Sequence, residues 1–295
     1  MKNNSKIKGN FNFVTILVFA LLVLYALTLF IPFFWALITS FKGNLDYLGN
    51  QLGFPSKWHF ENIITALNYF YVPINTGSDI KTYYIESMLL FSLLYSVGSS
   101  FFATLTACIA AYATARFDFK FNKVVYGIVV VTMTLPIVGN LPSELQFLKA
   151  FGMYDSIWGM WICKANFLGL YYLVFYASFR SVPKDYSEAA YIDGASNFRV
   201  MASVILPLVA STFMTVMLIR FVEFWNDYTV TLTYMPSIPT LAYGLYAYSF
   251  STVPEISNTP MRLAGCFILI IPILIVFIAG HKRLMGNISM GGIKE

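Results

Sequence analysis

The chain has 295 residues, of which 58% are hydrophobic, 18% aromatic and 11% charged, and its mean hydropathy is +0.68. Soluble domains carry roughly a quarter charged residues, so a water-facing shell cannot be built here, and a soluble enzyme, a disordered chain and a collagen-like chain are excluded. What remains is an integral membrane protein, in which a net charge of +5 reports orientation rather than affinity for nucleic acid, and nucleic acid is not an expected partner.

A helix rises about 1.5 Å per residue, so about 20 apolar residues cross a bilayer. After a short basic N-terminus (1–12), residues 13–41 carry no charge and form the first expected helix. That run is longer than the roughly 7–15 apolar residues of a secretory signal, so it is read as retained. Residues 42–86 are polar and punctuated by Gly43, Gly49, Gly53, Pro55, Pro73 and Gly77; they read as a structured extracellular loop, too small for a separate domain.

Four more spans are expected at 87–115, 124–143, 156–179 (interrupted only by Lys164) and from about 200 onward, and a sixth at 263–280. The fold expected is all-α: a polytopic membrane protein with six transmembrane helices, a five-helix core over 87–284 and a tail at 285–295. The long uniform runs lack the period-2 alternation of a membrane barrel.

Basic residues orient the chain. With the N-terminus inside, twelve Lys and Arg fall on the cytoplasmic side and five outside, so both termini are expected in the cytoplasm of a bacterial cell membrane. Residues 228–254 are uncharged and could pass for a seventh span, but Pro236, Pro239, Pro254 and many tyrosines favour an aromatic outer loop, with re-entrant or loop character over 236–258.

Chemistry-bearing motifs are sparse. Cys108, Cys163 and Cys266 lie singly in apolar stretches and the only histidines are His59 and His281, so the cysteines read as packing residues and no metal site is expected. No Walker-type GxxxxGK[ST] occurs, so ATP is not bound by that route and no cofactor is expected on this chain. Neither a catalytic cluster nor the inverted repeats common in secondary transporters are found.

The informative segment is cytoplasmic, residues 181–207. Pro183 with Asp185 or Ser187 supplies helix-start signals, Glu188 suits a helix N-terminus, and Gly194 permits a turn after Ala189, Ala190 and Ile192. From these signals alone it could be an interfacial connector. The order Glu188-Ala189-Ala190, three residues, Gly194, nine residues, then Val204-x-Leu206-Pro207 resembles the EAA signature of ABC import permeases, E-A-A-x3-G-x9-I-x-L-P, with Val204 replacing isoleucine. Asp193-Gly194-Ala195, Trp225-Asn226-Asp227 and the tail Gly291-Gly292-Ile293-Lys294 resemble the carbohydrate-uptake branch, the tail being similar to that of the smaller maltose-type permease.

The resemblance runs from about the second span to the C-terminus. It implies a type I ABC importer permease-like fold and a subunit that imports a solute, an oligosaccharide on the carbohydrate-branch resemblance, by alternating access. Glu188, Ala189, Ala190, Asp193, Gly194, Leu206 and Pro207 would couple to an ATPase, and Gly291, Gly292 and Lys294 would reach the ATPase interface. The implied partners are a second related permease, two cytoplasmic ATPase subunits that bind ATP and Mg, and an extracellular solute-binding protein, besides membrane lipid. A permease for another solute and a secondary transporter are the alternatives.

Ionisable groups at membrane depth are expensive and face the bundle interior or water. Arg220 and Glu223 are i,i+3 neighbours that can pair with each other, and Asp227 continues their face. A structural ion pair and a translocation-path or binding-protein contact are both open for this face; Asn226 and Tyr228 lean toward the path. Lys164 is read as an interior partner or a snorkelling residue.

Overall fold

The computed structural model describes residues 13–75, 77, 79–135 and 139–288, with side chains through residue 278. The N-terminal segment 1–12 and the tail residues Gly291, Gly292 and Lys294 lie outside the described residues. The described chain is mostly helical and divides into two units, one built from residues up to Tyr69 with Ser251–Phe267, the other from Phe70–Phe250 with residues from Ile268 onward.

In the first unit, helix α1 (Phe13–Ser40) buries only Thr39 and Ser40 within the chain. A helix leaves its last carbonyls unpaired. Asn62 meets that need, its Nδ2 donating to Ser40 O at 2.8 Å and to Lys42 O at 2.9 Å. Lys42 is 1% exposed, and its Nζ donates at 2.6 Å to Asn50 O, just past the end of helix α2 (Asn44–Gly49), where the helix dipole favours a cation. Asp46 accepts from Ser56 N at 2.9 Å and Ser56 Oγ at 2.7 Å, and helix α3 (Glu61–Asn68) follows. The expected outer loop is therefore folded, because its polar side chains satisfy helix ends rather than water.

The second unit opens with an unanticipated antiparallel hairpin, β1 (Tyr71–Asn75) and β2 (Ile80–Tyr84), pairing Tyr71 with Tyr84 and Asn75 with Ile80. Helix α4 (Ile85–Arg116) is its spine. Ser92, Ser96, Ser99, Ala103, Ala107 and Ala111 recur every three or four residues along it and are buried. Side chains this small let neighbouring helices approach closely. Then come α5 (Asn122–Thr134), α6 (Leu141–Ala150), α7 (Ile157–Lys164), α8 (Leu170–Ser181), α9 (Asp185–Ile192), α10 (Asn197–Val200), α11 (Leu206–Trp225), α12 (Thr229–Thr233), α13 (Leu241–Ser249) and α14 (Thr259–Ile288). Helices α7, α8 and α11 pack on α4.

Four helical stretches among the described residues are long and apolar enough to cross a membrane: Phe13–Ser40, Ile85–Arg116, Asn197–Trp225 and Thr259–Ile278. The other two expected spans are broken. The third stops at Thr134 because Leu135 precedes Pro136 and is extended (φ −87°, ψ 120°), the conformation that proline imposes on its predecessor. The fourth divides at residues 165–169 into α7 and α8, and Gly169 takes φ +124°, which only glycine adopts readily.

The stretch expected as an interfacial loop is also different. Helices α12 and α13 bury Val230, Thr231, Leu241, Ala242, Gly244 and Tyr248. Thr240 caps α13 by accepting from Tyr243 N at 3.3 Å, and Ser92 Oγ of α4 accepts from Leu241 N at 2.6 Å. Hydroxyls and close packing thus replace the water that a surface loop needs.

Candidate functional site

Two groups of residues form the site: the segment joining α8 to α11, and the far end of α11 with the residues after it. In the first, the backbone of Lys184 rather than a side chain starts α9, its carbonyl accepting from Ser187 N at 2.8 Å and Glu188 N at 3.0 Å. The side-chain cap expected from Asp185 or Ser187 is not made; these residues fall inside the helix, and Asp185 and Glu188 place negative charge in its first turn, where the dipole favours it.

The end of α9 is a double closure. Gly194 N donates to Tyr191 O at 3.0 Å and Ala195 N to Ala190 O at 3.0 Å, with Gly194 at φ +78°. This is the Schellman arrangement, which requires a left-handed residue just past the cap. No atom lies within 4 Å of where a Cβ on Gly194 would sit. Backbone conformation, not crowding, demands glycine here.

Ala190, Ala195 and buried Val200 pack against a core of Tyr112, Tyr172, Phe175 and Phe179, and Val204 and Leu206 do so too. Arg116 at the end of α4 donates through Nη2 to Val182 O at 2.8 Å, tying the entry of the segment to the spine. The opposite side is open: Glu188, Ala189, Asp193 and Gly194 are exposed, and so are Ile192 (86%) and Phe198 (72%). Ile192 and Phe198 are thus large apolar side chains left uncovered by this chain.

Ser196 then caps α10, accepting from Arg199 N at 3.4 Å. Between α10 and α11 lies a π-helical turn, Met201–Ile205, which sequence reading missed. Its signal was Pro207: a proline inside a helix has no N–H and crowds the carbonyl four residues back, and a widened turn relieves both. The turn keeps Asn197–Trp225 one helix, with half-buried Leu206 and exposed Pro207 just after it.

At the far end of α11, no ion pair directly joins Arg220 and Glu223. Both use Tyr171 of α8. The Arg220 guanidinium lies 4.6 Å from the ring centroid, and the Tyr171 hydroxyl donates to Glu223 Oε1 at 2.7 Å. The expected pair is thus bridged by an aromatic ring that covers the cation. Asn226 Nδ2 donates to Val222 O of its own helix at 2.8 Å.

Asp227 acts as a local cap, accepting through Oδ1 from Thr229 N at 3.0 Å and Val230 N at 3.2 Å, and through Oδ2 from the Tyr95 hydroxyl at 3.4 Å. The half-exposed Tyr228 stacks on Tyr246 of α13, centroids 4.8 Å apart and planes 7° off parallel. Tyr246 also meets exposed Phe250 at 5.0 Å.

A polar cluster not anticipated from sequence lies nearby. Glu144 accepts from the Tyr234 hydroxyl at 2.9 Å and from Cys163 Sγ at 3.1 Å, and Lys164 Nζ stands 5.7 Å from the Tyr234 ring centroid. Lys164 therefore has an interior aromatic partner. Residues 90 apart in sequence meet here, which no local pattern announces.

The described chain is thus mostly helical, with four stretches apolar and long enough to cross a membrane and an open, capped segment leading into one of them. Residues 103–285 match the family described as binding-protein-dependent transport system inner membrane component, and the chain belongs to that family; it is a membrane permease subunit and not an enzyme. Curated relatives include the diacetylchitobiose uptake system permease protein NgcG of Streptomyces coelicolor, 28% identical over 92% of this chain and 86% of that protein. Another is the probable starch degradation products transport system permease protein AmyC of Thermoanaerobacterium thermosulfurigenes, 28% identical over 90% and 91%. Among solved structures, a bacterial ABC transporter involved in import of the acidic polysaccharide alginate superposes with a TM-score of 0.71 at 19% identity, over 90% of this chain and 95% of that one. That likeness is one of fold.

Proposed function

We propose that this chain is one of two related permease subunits of an ATP-driven importer for an oligosaccharide, with both termini in the cytoplasm and an extracellular solute-binding protein delivering the cargo. The observation that carries the reading is the exposed helix α9, closed by Gly194 and joined by a short turn to the continuous helix formed by α10, the π turn and α11. Exposed Glu188, Ala189 and Asp193 face a cleft of a cytoplasmic ATPase, with Glu188 offering a carboxylate to a basic residue there and Ala189 letting the helix sink in. ATP and Mg belong to that ATPase. Closure of its dimer moves α9, and α11 transmits the motion to the opposite end of the span.

The oligosaccharide assignment is supported by relatives named for diacetylchitobiose and starch products. The Tyr228–Tyr246 stack with exposed Phe250 adds to it, because aromatic faces match the apolar faces of sugar rings. The tail with Gly291, Gly292 and Lys294 is assigned to the ATPase interface on resemblance, and deleting residues 291–295 should lower uptake.

The coupling role is tested with Gly194→Val and Glu188→Lys in the assembled transporter. A β-branched residue at φ +78° reopens the end of α9, and a reversed charge at Glu188 costs a buried partner contact on the order of 2–5 kcal/mol. Both variants should insert normally yet lose substrate-stimulated ATPase activity and uptake, whereas Gly194→Asn, which tolerates the left-handed region, should keep more of both. Normal stimulation and uptake in Gly194→Val and Glu188→Lys would refute coupling through this segment.

A further inference from the structure

Between the end of α4, the start of α5 and the last turns of α8 lies a cavity of about 620 Å³, lined by Asp118, Lys120, Asn122, Lys123, Tyr176 and Arg180 among others. Three cations thus share it with one carboxylate. Neither Lys120 nor Lys123 makes an ion pair among the described residues. Arg180 rests against the Tyr176 ring, 5.7 Å from its centroid, and the Tyr126 ring meets Tyr176 at 5.1 Å. The recess therefore has a surplus of positive charge and an aromatic wall, and nothing described so far uses it.

What continues from the recess narrows the ligand. Along α5, Tyr126, Val130 and Met133 are exposed and, at i, i+4 and i+7, share the face that carries the cavity-lining Asn122 and Lys123, so the charged cavity opens onto an apolar helix face. A small soluble anion would use the recess alone; a molecule with a phosphate and a long apolar tail would use both surfaces. A zwitterionic headgroup would bring a fourth cation beside Lys120, Lys123 and Arg180, so a headgroup of net negative charge fits better. We propose that this cavity binds the phosphate-bearing headgroup of an anionic glycerophospholipid, with Lys120, Lys123 and Arg180 around the phosphate and an acyl chain along α5. The site is independent of the solute carried. Arg180 lies two residues before Val182, whose carbonyl holds Arg116, so an occupied cavity would brace the root of the α9 segment.

The test uses the assembled transporter reconstituted in nanodiscs of equal phosphatidylglycerol and phosphatidylcholine, with lipids retained through stepwise detergent washing read by native mass spectrometry. The wild type should retain phosphatidylglycerol over phosphatidylcholine. Each basic residue near an anionic lipid contributes about fivefold, so Lys120→Gln with Lys123→Gln should weaken retention by about 25-fold, whereas Lys149→Gln on α6, outside the cavity, should not. Should the double glutamine variant assemble poorly, Lys120→Arg with Lys123→Arg must keep the lipid and Arg180→Gln alone must lose about fivefold. Free glycerol 3-phosphate at millimolar concentration should not displace the lipid. Equal retention in wild type and double variant, no preference for phosphatidylglycerol, or full displacement by glycerol 3-phosphate would each overturn the lipid assignment.

Discussion

Tyr171 holds two opposite charges without letting them touch. Its ring lies against the Arg220 guanidinium and its hydroxyl donates to Glu223. The two functions separate by substitution. Tyr171→Phe keeps the ring and removes the donor, leaving Glu223 without a bond worth about 1.5–3 kcal/mol; Tyr171→Leu removes the cation–π contact as well, a further loss of about 1–2 kcal/mol. Assembly yield should therefore fall in the order wild type, Phe, Leu. Replacing Arg220 and Glu223 together by apolar residues of similar size should preserve assembly better than either single change, because an unpaired charge costs more than a missing pair. Uptake by the assembled double variant separates a structural role from a place on the translocation path.

Between helices α4 and α7, close approach is made at Gly98 of α4. The Trp161 indole of α7 lies where a Cβ on Gly98 would be, and Trp161 Nε1 donates to Leu94 O at 3.0 Å. Gly98→Ala should displace the indole and cost about 1–3 kcal/mol, lowering the melting temperature of the purified subunit, and Trp161→Leu on the same background should restore part of it. In the outer segment, two hydrogen bonds from Ser56 hold the Asp46 carboxyl below its ordinary value of 3.8. A carboxyl lowered by folding stabilises the fold above the ordinary value and loses that contribution as pH falls through the lowered one. Acidification from pH 7 to 4 should thus leave the α2 region intact. Protease sensitivity near Ser56 should rise only at lower pH, and Asp46→Asn should abolish that step.

At this scale the sequence was legible where a pattern was local. The uncharged runs at 13–41 and 87–115 marked α1 and α4, and the Glu188-to-Pro207 spacing marked the α9 segment with its glycine turn. It was silent where structure depends on distant partners. The fate of 228–254 turned on Ser92 accepting from a backbone amide 149 residues away, and the bridge at Tyr171 joins residues 52 apart. The breaks after Thr134 and Lys164 were readable in principle from Pro136 and Gly169, but apolar composition masked them, since hydropathy sums residues and ignores backbone conformation.

For the molecule as a whole, orientation is the property most open to a direct experiment. The proposed orientation, which rests on the twelve-to-five excess of basic residues, has α9 inside the cell and the α2–α3 segment outside. A cysteine introduced at Ile192 should resist a membrane-impermeant maleimide in intact cells and react after lysis, while one at exposed Leu52 should react in both. Strong labelling at residue 192 in intact cells would reverse the topology.

The unbroken helix through the π turn also fixes a lever arm. Its 29 residues, Asn197–Trp225, span about 43 Å at about 1.5 Å per residue, so a tilt of about 10° at the α10 end sweeps the far end through about 7 Å. That displacement exceeds the roughly 5.4 Å pitch of one helical turn and is comparable to one sugar ring. On the proposed coupling, Arg220, in the last third of the rod, would travel most of that arc when α9 is moved at the other end. A stiff fulcrum and a long arm convert a small grip at one surface into a large excursion at the other.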